Sequence, residues 1–353
     1  MDVRPMDIYG KKAEACRKIR EDKACIFSLT SKQNNLAVAT DGSSVPGLGN
    51  VGPSAALPVA EEVSSVLGNL TGLNAVPLCP DTQNTDYITD LLIKLSPSFG
   101  GIYLESISAP RCYDIEERLA KALDIPAFNG ERWGKAAAAL AFLLHKPELS
   151  GDGGTGCPIV VDGFGSLGTA VTKLLTAYGF GKITVCDGDL ILNREMSGLN
   201  SIQREILLSV NNNVCFENVA EAVRGARIFI ETSLPGRLTE ETVTIGLPGR
   251  LTEEAVAIDL SGSGTGKDRR AFPGVSGAPD PDFQFLGFII SAGLMKGALF
   301  EGVSRITEKM LISAAGILAS APDDDLWSRD ISISNVIGSG LIFDISRAVS
   351  ENK

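Results

Sequence analysis

Three glycines, Gly163, Gly165 and Gly168, stand in G-x-G-x-x-G spacing inside "PIVVDGFGSLGTAVTKLLTAYGFGKITVCD". The apolar run Ile159–Val161 reads as a strand, Thr169–Ala177 as the helix it feeds, and "KITVCD" as the next strand. That strand ends at Asp187, 19 residues after Gly168. The triplet alone is a weak signal. Strand, glycine turn, helix and acidic residue in one unit of this length specify a Rossmann-type βαβ unit. The first glycine permits the tight turn. The second lets backbone approach a pyrophosphate, and the third lets helix and strand pack closely. The loop Gly163, Phe164, Gly165, Ser166, Leu167 and Gly168 then presents N–H groups at the positive end of a helix dipole. Asp187 can accept hydrogen bonds from ribose hydroxyls and repels a 2′-phosphate, so NAD is favoured over NADP. The competing reading is a Rossmann-like turn that has lost its nucleotide.

The rest of the chain repeats the alternation of strand and helix. "NNLAVATDG" reads as a strand ending in an Asp-Gly turn, and a helix starts near Leu57-Pro58. "NAVPLCPD" and "GGIYLESI" read as strands flanking a helical stretch, and "CYDIEERLAKAL" as an amphipathic helix before the strand "DIPAF". "ARIFIET" and "AVAIDLSG" add strands to the Rossmann unit. This pattern predicts an α/β fold with parallel strands. With 353 residues, two domains are expected. These are an N-terminal α/β substrate-side domain over 1–133 and a doubly wound NAD-binding domain over 134–290. A helical tail over 291–353 packs back on the cleft. "LPGRLTEE" occurs at Leu234–Glu241 and again at Leu247–Glu254, which reads as a local duplication lengthening one connection rather than a solenoid.

Bulk properties exclude several classes. A net charge of −11 argues against a nucleic-acid or anionic-membrane surface. No run approaches about 20 uninterrupted apolar residues, and "MDVRPMDIYGKK" lacks a signal-peptide core, so a cytoplasmic location is expected. The seven cysteines show no metal or redox spacing. The only histidine, His145, ends a helical run and reads as a surface or helix-end residue. A His-dependent triad or a multi-histidine metal site is thereby nearly excluded.

"DIPAFNGERWGKAAAA" (Asp124–Ala139) reads as a strand end, a short polar loop and an alanine-rich helix. This stretch, "SLTSKQNNLAVATDGSSVPGLGNVGPSAALPVAE", "SFGGIYLESISAPRCYDIEERLAKALDIPAF" and the Rossmann unit together resemble the malic enzyme family in its compact bacterial form. The resemblance runs from about Tyr9 to Ile230. It implies a two-domain enzyme, usually a homodimer, with its active site in the interdomain cleft. The family oxidises malate with NAD(P) and decarboxylates the keto acid with a divalent metal.

Against that pattern the sequence departs at most chemical positions. The family's Glu-Asp metal pair is Glu105-Ser106, and Glu131 stands for the metal-binding aspartate of the loop. The base lysine is Val63. The N-terminal tyrosine aligns with Ile8 or, with a one-residue slip, Tyr9. The asparagine positions offer Leu286 or Gly287 and Leu260 or Ser261. A hard cation wants several carboxylate oxygens, so a divalent metal is doubtful, with Glu105 and Glu131 as weak candidates. Asp41 reads as structural. Arg111 reads as a substrate-carboxylate contact or as a salt bridge to its own Asp-Ile-Glu-Glu helix. Arg132 and Lys135 read as anion contacts or as solvated residues at a helix start. The expectation is an NAD-dependent oxidoreductase acting on a hydroxy or keto acid other than malate, with Tyr9, Glu131, Lys135 and Arg111 as its chemical residues. A non-redox decarboxylase, cyclase or isomerase, or a ligand-binding pseudoenzyme, is the alternative.

Overall fold

The computed structural model describes residues 5–146, 155–210, 216–232, 255–260, 282–321, 324–327 and 331–353, without the side chains of 5–11 and 324–325. Both copies of "LPGRLTEE", the middle of the glycine-rich linker, Ser261 and the side chains of Ile8 and Tyr9 lie outside the described residues.

The first unit carries helices α1 (Pro5–Glu21), α2 (Cys25–Leu29), α3 (Leu57–Thr71), α4 (Thr85–Leu95) and α5 (Arg111–Ala122) around strands β1 (Asn35–Ala39), β2 (Asn74–Leu78), β3 (Gly101–Leu104) and β4 (Ala127–Asn129). Its sheet has the order β2-β1-β3-β4, parallel throughout. Parallel strands need covered faces. Accordingly β1 and β3 alternate between two apolar clusters. Leu36, Val38 and Tyr103 face one, while Ala37, Ala39, Ile102 and Leu104 face the other.

The second unit holds β5 (Ile159–Asp162), α7 (Ser166–Tyr178), β6 (Ile183–Asp187), β7 (Leu190–Ile191), α8 (Ser201–Ser209), α9 (Val219–Gly225), β8 (Ile228–Glu231) and β9 (Val256–Asp259). The order is β7-β6-β5-β8-β9, with β7 alone antiparallel among the described strands. The chain leaves β5 for β6 on one side and returns to β8 on the other. The glycine loop thus opens at a topological switch point, the place where open α/β sheets bind ligands.

α6 (Gly130–His145) and α10 (Phe283–Glu301) join the two units. α6 packs on α10, on α7 and on α11 (Glu308–Ala319). α10 packs on α3 and on α13 (Leu341–Glu351), and α12 (Ile333–Ser339) touches α3 and α13. The boundaries expected at 133/134 and 290/291 therefore fall inside helices. α10 is long and apolar enough to cross a membrane by composition, yet 78% of that window is buried within the fold.

One reading of local structure is corrected. "NGERWG" is no loop: α6 begins at Gly130, and Asn129 caps it by accepting a hydrogen bond from Arg132 N at 3.3 Å. Two glycines in six residues signal a turn from sequence alone. Here they serve packing instead. A Cβ on Gly130 would lie 2.0 Å from the Tyr103 ring, and one on Gly134 would lie 2.5 Å from the Gly287 carbonyl oxygen of α10.

Candidate functional site

The first sheet assembles a polar cluster at its carboxyl edge. Glu105 and Ser106 follow β3 directly, and Glu131 and Lys135 stand one turn apart on α6. Ser106 is the one described non-glycine residue with positive φ, at 52°. In that conformation its N–H donates to Glu131 Oε2 at 3.0 Å, and its carbonyl accepts from Ser44 N at 3.0 Å. Lys135 Nζ lies 3.9 Å from Glu131 Oε1, with the side chains 7% and 21% exposed. Lys135 and Arg132 are both buried, so neither is a solvated helix-start residue. The close contact of α6 with α10 excludes water from Lys135, and Arg132 is folded in toward α5.

Glu105 is buried; its Oε1 accepts from Ser106 Oγ at 3.3 Å and its Oε2 has no hydrogen-bond partner. Burial, and then the Glu131 charge, push its carboxyl well above the usual carboxylate range; Lys135 and the Ser106 hydroxyl pull back against them. Tyr103 is buried below, its phenol pushed up by burial and then by Glu105. The Ser291 hydroxyl eases that shift, but no bond of ordinary geometry reaches the phenol oxygen.

An acid whose pKa is raised by folding holds its proton more tightly in the native state. The stability it contributes is full below the ordinary carboxylate value and is lost as pH rises through the folded value. Glu105→Gln, a neutral mimic, is therefore expected to melt with the parent below the ordinary carboxylate range and increasingly above the parent as pH rises beyond that range. Melting curves across that window check this; an offset independent of pH refutes it.

The remaining candidates are placed as follows. Arg111 opens α5, with Nη2 2.8 Å from buried Asp41 Oδ2 and 3.2 Å from Ser108 Oγ. Its Nη1 donates to the Gln83 carbonyl at 2.6 Å. Asp41 also accepts from Ser43 N at 3.0 Å and Ser43 Oγ at 2.6 Å. Arg111 thus laces the loop after β1 to the start of α5. Its ion pair is with Asp41 and not with the acids of its own helix. Tyr9 lies on α1. Val63, Leu260 and Leu286 all belong to the main apolar cluster. Gly287 lies on α10, facing the backbone of Gly134 and Lys135. His145 ends α6, half-buried rather than on the open surface. It stacks on Trp327 at 4.5 Å, with Nδ1 3.1 Å from the Ala319 carbonyl.

The glycine loop fits a dinucleotide. Gly163 has φ 99° and its N–H bonds to the Cys186 carbonyl at 2.8 Å, which makes the tight turn after β5. A Cβ on Gly168 would lie 1.9 Å from the Gly163 carbonyl oxygen, so this glycine sets the contact of helix and strand. Gly165 is exposed, a Cβ there would meet nothing within 4 Å, and no side chain caps α7. Those are the properties of a cradle left open for phosphate. Phe164 is buried, its carbonyl accepting from Gln203 Nε2 at 2.6 Å. Ser166 and Leu167 are half-buried on the first turn, and Asp187 is exposed at the end of β6.

A divalent metal fits the acidic cluster poorly. Glu105 is driven toward its neutral form, Glu131 is already engaged by Lys135 and the Ser106 N–H, and no group of three His, Cys, Asp or Glu side chains arranged for a metal occurs among the described residues. Sequence reasoning missed the placement of Tyr103 beside Glu105, because nothing in a buried strand segment signals which polar group a tyrosine will face. It also missed the burial of Arg132.

No protein-family model matches the chain. A bifunctional malic/malolactic enzyme of Bacillus subtilis is 33% identical over 342 residues, 96% of this chain and 83% of that protein. An NAD-dependent malic enzyme of Geobacillus stearothermophilus is 33% identical over 339 residues, 96% of this chain and 71% of that protein. Some further relatives are NADP-dependent malic enzymes. Among solved structures, the malic enzyme of Pyrococcus horikoshii superposes with a TM-score of 0.83 at 26% identity, covering 99% of this chain and 84% of that one.

Proposed function

The chain belongs to the malic enzyme family of nicotinamide-dependent oxidoreductases, and from this premise we propose that it oxidises a hydroxy acid, or reduces the matching keto acid, other than malate and without the family's metal step. The observation that carries the proposal is the Glu131–Lys135 pair beside buried Glu105. It is a nearly charge-balanced cluster where a hard cation would need several anionic oxygens. Val63 at the base position and Leu260 and Leu286 at the asparagine positions support the same reading, since all three side chains are buried in the apolar core and offer no polar group there.

Bound NAD supplies the hydride acceptor. Gly165 and the uncapped start of α7 hold its pyrophosphate. Asp187 takes the ribose hydroxyls and disfavours a 2′-phosphate. Glu131, the more exposed partner of its ion pair, receives the substrate hydroxyl proton. Lys135 steadies the charge of Glu131 and donates toward the developing carbonyl oxygen. Tyr9 is a further proton carrier in this reading, and Arg111 orients the loop that carries Ser106.

Two measurements test the proposal. NAD is expected to raise the melting temperature, and more than NADP does, because a ligand that binds only the folded state stabilises it. No shift at millimolar NAD overturns the oxidoreductase reading. Malate with Mn2+ and NAD is expected to yield no appreciable NADH, and robust turnover overturns the departure from malate.

A further inference from the structure

A cavity lies beside the first turn of α6. It has a volume of 650 Å³ and neither Glu131 nor Lys135 lines it. That volume falls within the ~300–1,000 Å³ of small-molecule sites. Its walls come from both units: Phe128 and Trp133 at the end of β4 and start of α6, Lys173 on α7, and Lys309 and Leu311 on α11.

Arg132 is the unusual member. It is 8% exposed and its guanidinium lies 4.9 Å from the Tyr113 ring and 4.7 Å from the Trp133 ring. It donates a single side-chain hydrogen bond, from Nη2 to Glu116, and its buried Nε has no partner. A guanidinium carries five N–H donors, and one so deeply buried usually satisfies them. Glu116 is heavily used, since it also accepts from Trp133 Nε1 at 3.1 Å and Asn129 N at 3.2 Å.

The charges on the wall make a simple balance. Arg132 pairs with Glu116, and Lys173 pairs with Glu308 at 2.9 Å. Lys309 is exposed and has no carboxylate partner among the described residues. One positive charge is left over, beside an arginine with unused donors and an indole wall. We propose that this cavity binds a monoanionic carboxylate on a flat apolar body, an aryl carboxylate. The carboxylate bridges Lys309 and the unused edge of the Arg132 guanidinium, and the ring lies along Trp133 and Leu311. The proposal does not depend on the reaction in the cleft.

Benzoate is the probe and Trp133 the reporter, because the chain has only two tryptophans and the other, Trp327, is buried in the core. Saturable benzoate-dependent quenching is expected, with a matching calorimetric titration near one site per chain. Benzamide, the uncharged analogue, should bind roughly tenfold more weakly, the loss expected when a charge-assisted contact is removed. Lys309→Glu, at an exposed position that leaves the fold alone, should weaken benzoate by about the same factor, as should Arg132→Lys. Saturating NAD should leave benzoate binding in place. The proposal is overturned if no saturable signal appears, if benzamide binds as well as benzoate, if Lys309→Glu binds like the parent, or if NAD displaces the probe.

Discussion

Gly165→Val should leave the fold intact and cost roughly 100-fold in NAD affinity, about 2.7 kcal/mol. A Cβ at Gly165 meets no protein atom within 4 Å, and its φ of −76° suits any residue. The branched side chain would stand where backbone must approach pyrophosphate, so the loss is confined to the ligand. The melting temperature without nucleotide should stay close to that of the parent, while the NAD-dependent rise disappears. Gly168→Ala is the contrasting variant. Its Cβ would overlap the Gly163 carbonyl oxygen at 1.9 Å, so it should lower stability with or without NAD. Equal NAD shifts in the parent and in Gly165→Val would remove the glycine loop from the cofactor site.

The second large effect is on folding. Alanine for glycine inside a helix normally gains about 1 kcal/mol. At Gly130 the sign should reverse. The new methyl would sit 2.0, 2.1 and 2.2 Å from Cε2, Cζ and the hydroxyl of fully buried Tyr103. That ring has little room to retreat, being set edge-on against Phe128 at 6.3 Å. A net loss of about 3 kcal/mol is expected, at the upper end for overpacking. Tyr103→Leu removes the clashing end of the ring. The double variant Gly130→Ala/Tyr103→Leu should therefore lose less than the two single losses combined, a coupling that denaturant unfolding can read. Additive losses would mean that α6 and β3 move apart instead.

The same two positions show how much was legible beforehand. The spacing of Gly163, Gly165 and Gly168, the apolar strand before them and Asp187 after them lie within one continuous segment. Local pattern was enough to predict strand, turn and helix there, and the parallel α/β architecture around them. Gly130 and Gly134 looked like loop residues because the cause of each glycine lies far away in sequence, on β3 and on α10. Distance in sequence likewise hid the burial of Lys135 against α10, while the stacking of Arg132 between Tyr113 and Trp133 is a matter of side-chain direction that spacing does not show.

The sequence by itself determined the class of fold, the glycine turn and the kinship, because periodicity, glycine spacing and long shared segments are properties of neighbouring residues. Only the tertiary structure decided what the acidic and basic side chains do. It laces Arg111 to Asp41 and pairs Lys135 with Glu131. It takes water away from Glu105, and it leaves Arg132 with donors to spare beside a cavity. The spacing of Glu131 and Lys135 is local, but burial and the other partners are set by contacts between segments that are in part well over a hundred residues apart, such as Gly134 and Gly287, and no local pattern encodes them.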